Sequence, residues 1–581
     1  YSPTVNLARD PRWGRNDEAF SEDPFLTAKI AAQFVNGLEG KDMEGNLLDP
    51  DGYYKAISTL KHYTANNCEA TRLSGNSELD ERSLREYYTA PYRDVIKQAD
   101  VQSIMTAYNR VNGIPATVST FLLDTLLRQT FGFTGYITTD CDSISRITVG
   151  HNWTPQGWSR PVDIYERSAF AMMAGTDLEC NQGYNDGNNY TNTVPQAIER
   201  GIETDNGIFT ENDVDTALLR LFKTRMMLGE FDDPDSVRWI KEARSRVPQG
   251  TWTSSQNNGA ITQTQERLAL AREVAAKSIV LLKNEEVKVT GKKLLPIDVP
   301  ESGEFKVAVI GYFANPNSVH LGGYSSMQGG AATNNIVNPY PGIRNAIKAI
   351  NPDAEVTYYK GFTDSGTSAA NLINIDMNAV NAAAEADLAI VYVSTDNGTS
   401  REDHDRSTIN LPGNQAQLIK EVAIENPNTI AFIETVGQVN LTEFKDDVPA
   451  ILWSSFLGLR KGEAIANVLL GNYNPSGHLP FTWYPTDNDI PDIEDYRIRP
   501  EADTPGRTYM YYTGDYDYAF GHGLSYTTFE YTNLKIANKN LDANGTLEVS
   551  VDVKNIGSVA GEDVVQLYIA TPGAPEALQL P

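Results

Sequence analysis

Three apolar runs in the first 140 residues each stop on a reactive polar side chain, and helical patterns separate them. Ala56-Ile57-Ser58-Thr59-Leu60 leads into Lys61-His62, and Val101-Gln102-Ser103-Ile104-Met105-Thr106-Ala107 leads into Tyr108-Asn109. Gly135-Tyr136-Ile137-Thr138-Thr139 ends on Asp140. Short buried strands alternating with helices dictate a parallel sheet with right-handed crossovers. In a parallel βα architecture the carboxyl ends of successive strands converge on one face, where barrel enzymes place their chemistry. Asp140 is therefore the first residue expected to be catalytic; the plainer reading is an Asp that caps the following helix.

The same alternation runs to about residue 235. Asp80 to Tyr88 opens a helix with acids in its first turn, as the helix dipole favours. Phe121 to Leu127 carries another, ended by Gly132, and Tyr165 to Met173 a third. Gly175-Thr176-Asp177-Leu178-Glu179-Cys180 reads as a further strand end. The helix from Asn212 to Leu228 has an apolar face of Val214, Ala217, Leu218 and Leu221. Tyr1 to Leu7 already reads as a strand inside a domain. Five or six βα units are expected, where a closed barrel needs eight. The fold is accordingly expected to be α/β, with residues 1–235 an incomplete (β/α)8 TIM-type barrel lacking roughly 60–100 residues upstream at ~30 per unit.

Residues 236–300 are polar and turn-rich, and read as a linker. Residues 301–485 carry continuous apolar strands, Lys306 to Gly311, Leu388 to Val393, Thr429 to Ile433 and Ala450 to Trp453, which predict a doubly wound α/β sandwich. Residues 486–526 form a connector. From about 527 the pattern changes to period two, as in Leu547 to Val553 and Val564 to Ala570. This predicts a fibronectin type III-like β-sandwich, cut short by position 581.

A formal net charge of −28 excludes nucleic acid and anionic membrane as partners, because phosphate binding needs clustered Lys and Arg. No apolar run approaches the ~18 residues of a membrane span. No phosphate loop follows the Val309-Ile310-Gly311 strand end, so a nucleotide-binding two-domain protein is rejected. Six histidines and three cysteines give no metal or thiol chemistry, and neither metal nor cofactor is expected. Cys141 and Cys180 follow strand-like segments on the presumed active face; they pair in an oxidising compartment or stay as free thiols. Carboxylates at loop tips are plentiful, and a carboxylate pair is the usual equipment for glycosidic bond cleavage.

The residues then match a family. Arg9-Asp10-Pro11-Arg12-Trp13-Gly14-Arg15, Phe20-Ser21-Glu22-Asp23-Pro24, Lys61-His62-Tyr63 and Thr138-Thr139-Asp140 resemble glycoside hydrolase family 3. Leu411-Pro412-Gly413-Asn414-Gln415, Asn474-Pro475-Ser476-Gly477 and Phe520-Gly521-His522-Gly523-Leu524-Ser525-Tyr526 extend the likeness, in order, over the whole chain. The resemblance implies a barrel, an α/β sandwich and a fibronectin-like domain, with the active site between the first two. It implies Asp140 as nucleophile, held ionised by cationic neighbours. Lys61, His62 and Arg15 match residues that bind sugar hydroxyls, and Tyr108 matches a tyrosine beside the nucleophile. Glu402, on the loop Thr395 to Arg406, matches the acid/base, with Asp396, Asp403 and Asp405 as competitors; burial on substrate closure would raise its pKa.

Cys141 directly after the nucleophile, with Cys180, resembles the β-xylosidase and arabinofuranosidase branch, where a bulkier wall would reject the hydroxymethyl arm of glucose. Lys61 to Glu69 resembles the β-glucosidase branch instead. The expectation is a retaining exo-β-glycosidase acting on oligosaccharides, first a β-D-xylosidase on xylo-oligosaccharides, with a β-glucosidase or a non-catalytic sugar-binding relative as alternatives. An aspartate that the family places upstream to hold distal hydroxyls would precede Tyr1. A homodimer and a secreted or extracellular location are further expectations.

Overall fold

The computed structural model describes residues 1–181, 188–246, 263–317, 321–325, 335–366, 368–537, 540 and 545–570. In the first unit β1 (Thr59–Tyr63), β2 (Ser103–Thr106) and β3 (Tyr136–Thr139) form a parallel sheet in that order. Extended segments prolong it on both sides. Thr4 pairs parallel with Lys61, and Leu178 with Thr138. Leu60, Ile104 and Ile137 are fully buried between the sheet and its covering helices. The reactive strand ends Lys61-His62, Tyr108 and Asp140 therefore share one edge of the array, as the spacing of the apolar runs predicts.

Helical details differ from expectation where the backbone chemistry differs. The helix expected over 80–88 is a short turn at Glu81–Ser83, a wider i→i+5 turn at Leu84–Tyr88 and then a helix at Ala90–Ala99. Pro91 sits in the first turn of the last piece, where its missing N–H breaks no ladder. Glu211–Met227 is helical, but of its expected apolar face only Ala217 is fully buried, while Leu218, Leu219 and Met226 lie exposed. Phe25 and Phe34 of the helix Pro24–Glu39 are also exposed. Among the described residues no helix is long and apolar enough to cross a membrane.

The 236–300 stretch is not all linker. It holds the helices Arg238–Arg246 and Gln265–Ser278, and then β4 (Val280–Asn284), a buried strand of the second sheet. The second unit thus begins some twenty residues before the expected boundary at 301. Polar Lys283 and Asn284 end β4 and mask its apolar start, Val280-Leu281-Leu282, whose side chains are buried.

With β5 (Lys306–Ile310), β6 (Glu355–Tyr359), β7 (Leu388–Ser394), β8 (Thr429–Glu434) and β9 (Ala450–Ser454), the second sheet runs in the order β6-β5-β7-β8-β9-β4. All pairs are parallel except β9 with β4. Every residue of β7, β8 and β9 is buried, because helices cover both faces. Chain order reverses between β5 and β7, and ligands of open α/β sheets bind at the carboxyl ends beside such a switch. Gly311 ends β5 there at φ 129°, and a Cβ on it would lie 2.0 Å from the Tyr392 carbonyl oxygen. Only glycine fits that approach.

Residues 486–526 do more than connect. Arg9 donates to the Asp495 carbonyl at 2.7 Å, and Arg507 pairs with Asp10 at 2.8 Å, both ions fully buried. Tyr88 donates to the Tyr496 carbonyl at 2.7 Å. The segment is a strap across the first unit. Beyond it β10 (Phe529–Ile536) and β11 (Val549–Asn555) form an antiparallel pair. The second strand expected at Val564 to Ala570 pairs with no strand among the described residues; β11 takes Phe529–Ile536 as its partner.

Candidate active site

The strand ends of the first sheet supply one wall. Asp140 is buried, and its Oδ1 accepts the Cys141 N–H at 2.8 Å. Its Oδ2 lies 3.6 Å from His62 Nε2 and has no hydrogen-bond partner among the described residues. Asp140 does not cap the next helix: Asp142 stands at that end of Ser143–Val149, and its side chain makes no capping bond. His62 is fixed by Asn6, whose Oδ1 lies 3.0 Å from the ring Nδ1 and 2.7 Å from the His62 backbone N–H that donates to it. Burial, then the charges of Arg15, Lys61 and Arg72, hold the imidazole well below its usual pKa, so it is neutral. Tyr108 donates to the Cys141 carbonyl at 2.6 Å, and burial pushes its phenol up. Cys141 and Cys180 form a disulfide with their Cα atoms 4.6 Å apart, while Cys68 is a buried free thiol.

Cations make the second wall. Arg15 grips Glu18 through Nε at 2.7 Å and Nη2 at 2.9 Å. Its Nη1 is buried without a hydrogen-bond partner among the described residues and points toward Glu402 Oε1, 3.6 Å away. Lys61 Nζ lies 3.6 Å from Glu18 and 3.9 Å from the centre of the Tyr324 ring. An unpaired buried donor and an unpaired buried carboxylate oxygen in one pocket are costly unless something polar comes to meet them.

The second unit closes the pocket. The loop after β7 brings in Glu402, whose Oε1 accepts from Arg72 at 2.7 Å and whose Oε2 accepts from the Tyr324 hydroxyl at 2.7 Å. Tyr324 comes from the loop after β5, so both loops flank the switch point. The other acids of the segment are occupied elsewhere. Asp396 accepts the Ala369 N–H of its own unit at 3.0 Å, Asp403 is largely exposed beside Arg72, and Asp405 is bonded to backbone N–H groups of the first unit.

The two carboxylates differ in a way sequence reasoning does not anticipate. Burial dominates at Asp140 and raises its pKa, against the pull of the Cys141 N–H and of Arg15, Arg72 and Lys61. Burial would also raise Glu402, but Arg15, the bonds from Arg72 and Tyr324 and the Arg72 charge outweigh it and hold the group at about 2. The low nucleophile pKa expected from the resemblance is thus not found: at Asp140 burial outweighs the cations, while at Glu402 the cations outweigh burial.

All six expected residues, Arg15, Lys61, His62, Tyr108, Asp140 and Glu402, meet in this one region. Sequence reasoning missed Asn6, Glu18, Arg72 and Tyr324. Arg72, eleven residues beyond Lys61 and past a turn, carries no periodic signal, and Tyr324 sits in a Gly-Gly-Tyr loop that reads as surface.

Residues 1–223 match the Glycosyl hydrolase family 3 N terminal domain, and residues 279–526 match the Glycosyl hydrolase family 3 C-terminal domain. The chain is 31% identical to the exo-1,4-beta-xylosidase xlnD of Aspergillus niger, over 98% of this chain and 64% of that protein. It is 31% identical to beta-xylosidase/alpha-L-arabinofuranosidase 2 of Medicago sativa subsp. varia, over 100% of this chain and 71% of that protein. It therefore spans about two thirds of the length of such relatives. Among solved structures, a GH3 exo-beta-xylosidase (XlnD) in complex with a xylobiose aziridine probe superposes with TM-score 0.73 at 30% identity, over 92% of this chain and 62% of that one. The beta-glucosidase from Listeria innocua in complex with gluconolactone superposes with TM-score 0.74 at 25% identity, over 97% and 70%. With both family domains matched in order along it, and a pocket built from both, the chain belongs to glycoside hydrolase family 3.

Proposed function

We propose that this chain is the catalytic body of a retaining exo-β-glycosidase that removes terminal β-linked sugars, in first place a β-D-xylosidase acting on xylo-oligosaccharides. The observation that carries this is that two carboxylates from different units, Asp140 and Glu402, flank one pocket whose cations, Arg15 and Arg72, act on both. Asp140 Oδ2, unpaired and facing the pocket, attacks the anomeric carbon. Glu402 gives a proton to the departing glycosidic oxygen and then takes one from the water that releases the sugar. Arg15 Nη1, Lys61 and neutral His62 hold sugar hydroxyls, and Tyr108 fixes the Cys141 carbonyl beside the nucleophile. A bound sugar engages Arg15 and Lys61 and moves Tyr324 off Glu402. Glu402 then loses part of what keeps it ionised, with Arg72 still in place, and becomes able to carry a proton.

The Cys141–Cys180 disulfide walls the nucleophile side and favours xylose, which has no hydroxymethyl arm; the names of the relatives point the same way. A β-glucosidase is the second reading, favoured by the Listeria enzyme's equal superposition. The parallel array is read as part of a TIM-type barrel, and β10 with β11 as the start of a fibronectin type III-like sandwich. The disulfide also supports a secreted protein, since such bonds persist in oxidising compartments. The test is initial rates of the full chain on nitrophenyl β-xyloside, β-glucoside and α-arabinofuranoside, with Asp140→Ala alongside. Xyloside should have the highest kcat/KM and Asp140→Ala should abolish turnover. Preference for glucoside would displace the xylosidase reading, and turnover by the variant would end the nucleophile assignment.

A further inference from the structure

Glu402 reaches the pocket from the second unit, yet what holds its loop in place belongs to the first. Arg401 and His404 exchange backbone hydrogen bonds at 3.2 and 3.0 Å, which puts Glu402 and Asp403 at the tip of a tight turn. One residue beyond, the carboxylate of Asp405 crosses the domain boundary. Its Oδ1 accepts the Gly14 N–H at 2.9 Å, and its Oδ2 accepts the N–H groups of Glu69 at 2.6 Å and Ala70 at 2.9 Å. The Cys68 thiol lies 3.5 Å from the same oxygen. Glu69 returns the grip, its Oε2 accepting the Asp403 N–H at 3.1 Å. Gly14 presses against the back of the turn: a Cβ there would lie 2.0 Å from the His404 carbonyl oxygen and 2.6 Å from that of Arg401.

We propose that Asp405 is a positioning residue for the acid/base, its carboxylate seating the Glu402 turn on the backbone of Gly14, Glu69 and Ala70 so that Glu402 stands over Asp140. This rests on Glu402 being the acid/base. Three backbone donors and the Cys68 thiol take up the four acceptor sites of this one carboxylate, so its chemistry is to anchor. Displacing a catalytic group by about 1 Å costs on the order of 10²-fold in rate, and loosening the turn that carries it is where such a displacement originates.

The experiment compares Asp405→Ala, Asp405→Asn and Gly14→Ala with Glu402→Ala in the full chain, on nitrophenyl and dinitrophenyl β-xylosides with and without azide. Asp405→Asn keeps one acceptor oxygen, and Gly14→Ala pushes the turn away with the carboxylate intact, so the set survives the loss of any one variant to misfolding. For the Asp405 and Gly14 variants kcat on the poorer leaving group should fall on the order of 10²-fold, with KM changed less than about threefold. Azide should rescue Glu402→Ala alone, because only there is the carboxylate gone. The alkaline limb of kcat should move to higher pH as Glu402 leaves Arg72. Wild-type kcat in the Asp405 and Gly14 variants would overturn the positioning role and leave Glu402 as acid/base. A kcat loss with an unmoved alkaline limb would mark Asp405 as merely structural and overturn it too. Azide rescue of Asp405→Ala with none for Glu402→Ala would make Asp405 the acid/base and overturn both readings.

Discussion

Tyr324 bears on three charges at once. Its ring lies under both Lys61 and Arg15, 3.9 and 5.3 Å from its centre, and its hydroxyl bonds Glu402. Removing only that hydroxyl tests how the acid/base is tuned. Tyr324→Phe takes away a bond that favours ionised Glu402, so the carboxyl pKa rises and the protonated acid persists to higher pH. The carboxyl pKa of Glu402 in the free chain should move up by about one unit, a value discounted for the partial exposure of Glu402; an unmoved carboxyl titration by NMR would separate Tyr324 from the acid. At this scale the sequence is half legible. The strand-end residues Lys61, His62, Tyr108 and Asp140 announce themselves because apolar runs end on them. Asn6, Arg72 and Tyr324 act through contacts 56, 330 and 78 residues away along the chain, and no local pattern encodes such distances. The pKa order of the two carboxylates is equally hidden, since it depends on how burial and the shared arginines balance at each of them.

Among elements, the second sheet is the most legible, because strands buried on both faces are written as unbroken apolar runs. The antiparallel edge β4 escapes notice for the converse reason: its polar end blends into the turn-rich stretch before it. Period-two alternation identifies β11 but not its partner, because alternation says which face is covered and not by what. The carboxyl ends of β5 and β7 carry the two loops that meet Glu402's surroundings, and their spacing depends on Gly311. Gly311→Ala forces a Cβ into the Tyr392 carbonyl at a positive φ. It should destabilise the chain by about 2–4 kcal/mol, the range of severe backbone clashes, read as a lower midpoint in denaturant titration. An unchanged midpoint would show that the approach of β5 to β7 relaxes freely.

For the whole molecule, the strap over 486–526 explains why Arg9, Asp10 and Arg12 stand in the same motif as Arg15. Only Arg15 reaches the pocket, while Asp10 is gripped by Arg12 and Arg507 and Arg9 by the strap's carbonyls. A motif read as one functional unit divides in three dimensions into site and joint. Glu22 belongs to the joint, accepting from Thr482 at 2.7 Å and from the Tyr509 N–H at 2.9 Å. Burial raises its carboxyl to about 7 despite those bonds. The folded state then keeps a proton that the unfolded chain gives up near pH 4.5, so this group's contribution is intact below that value and lost as pH rises to about 7. The loss amounts to about 3 kcal/mol. Glu22→Gln keeps the acceptor oxygen and should gain thermal midpoint relative to wild type as pH rises from 5 to 8; parallel midpoints across that range would refute the assignment. The seating of Asp405 on Gly14, Glu69 and Ala70 has a last consequence, for inheritance. On the proposal above, the acid of one unit is aimed by the backbone of the other, so a chimera that swaps either half between relatives carries its own carboxylate but a foreign cradle. The seam, more than either domain, is what descent has to transmit intact.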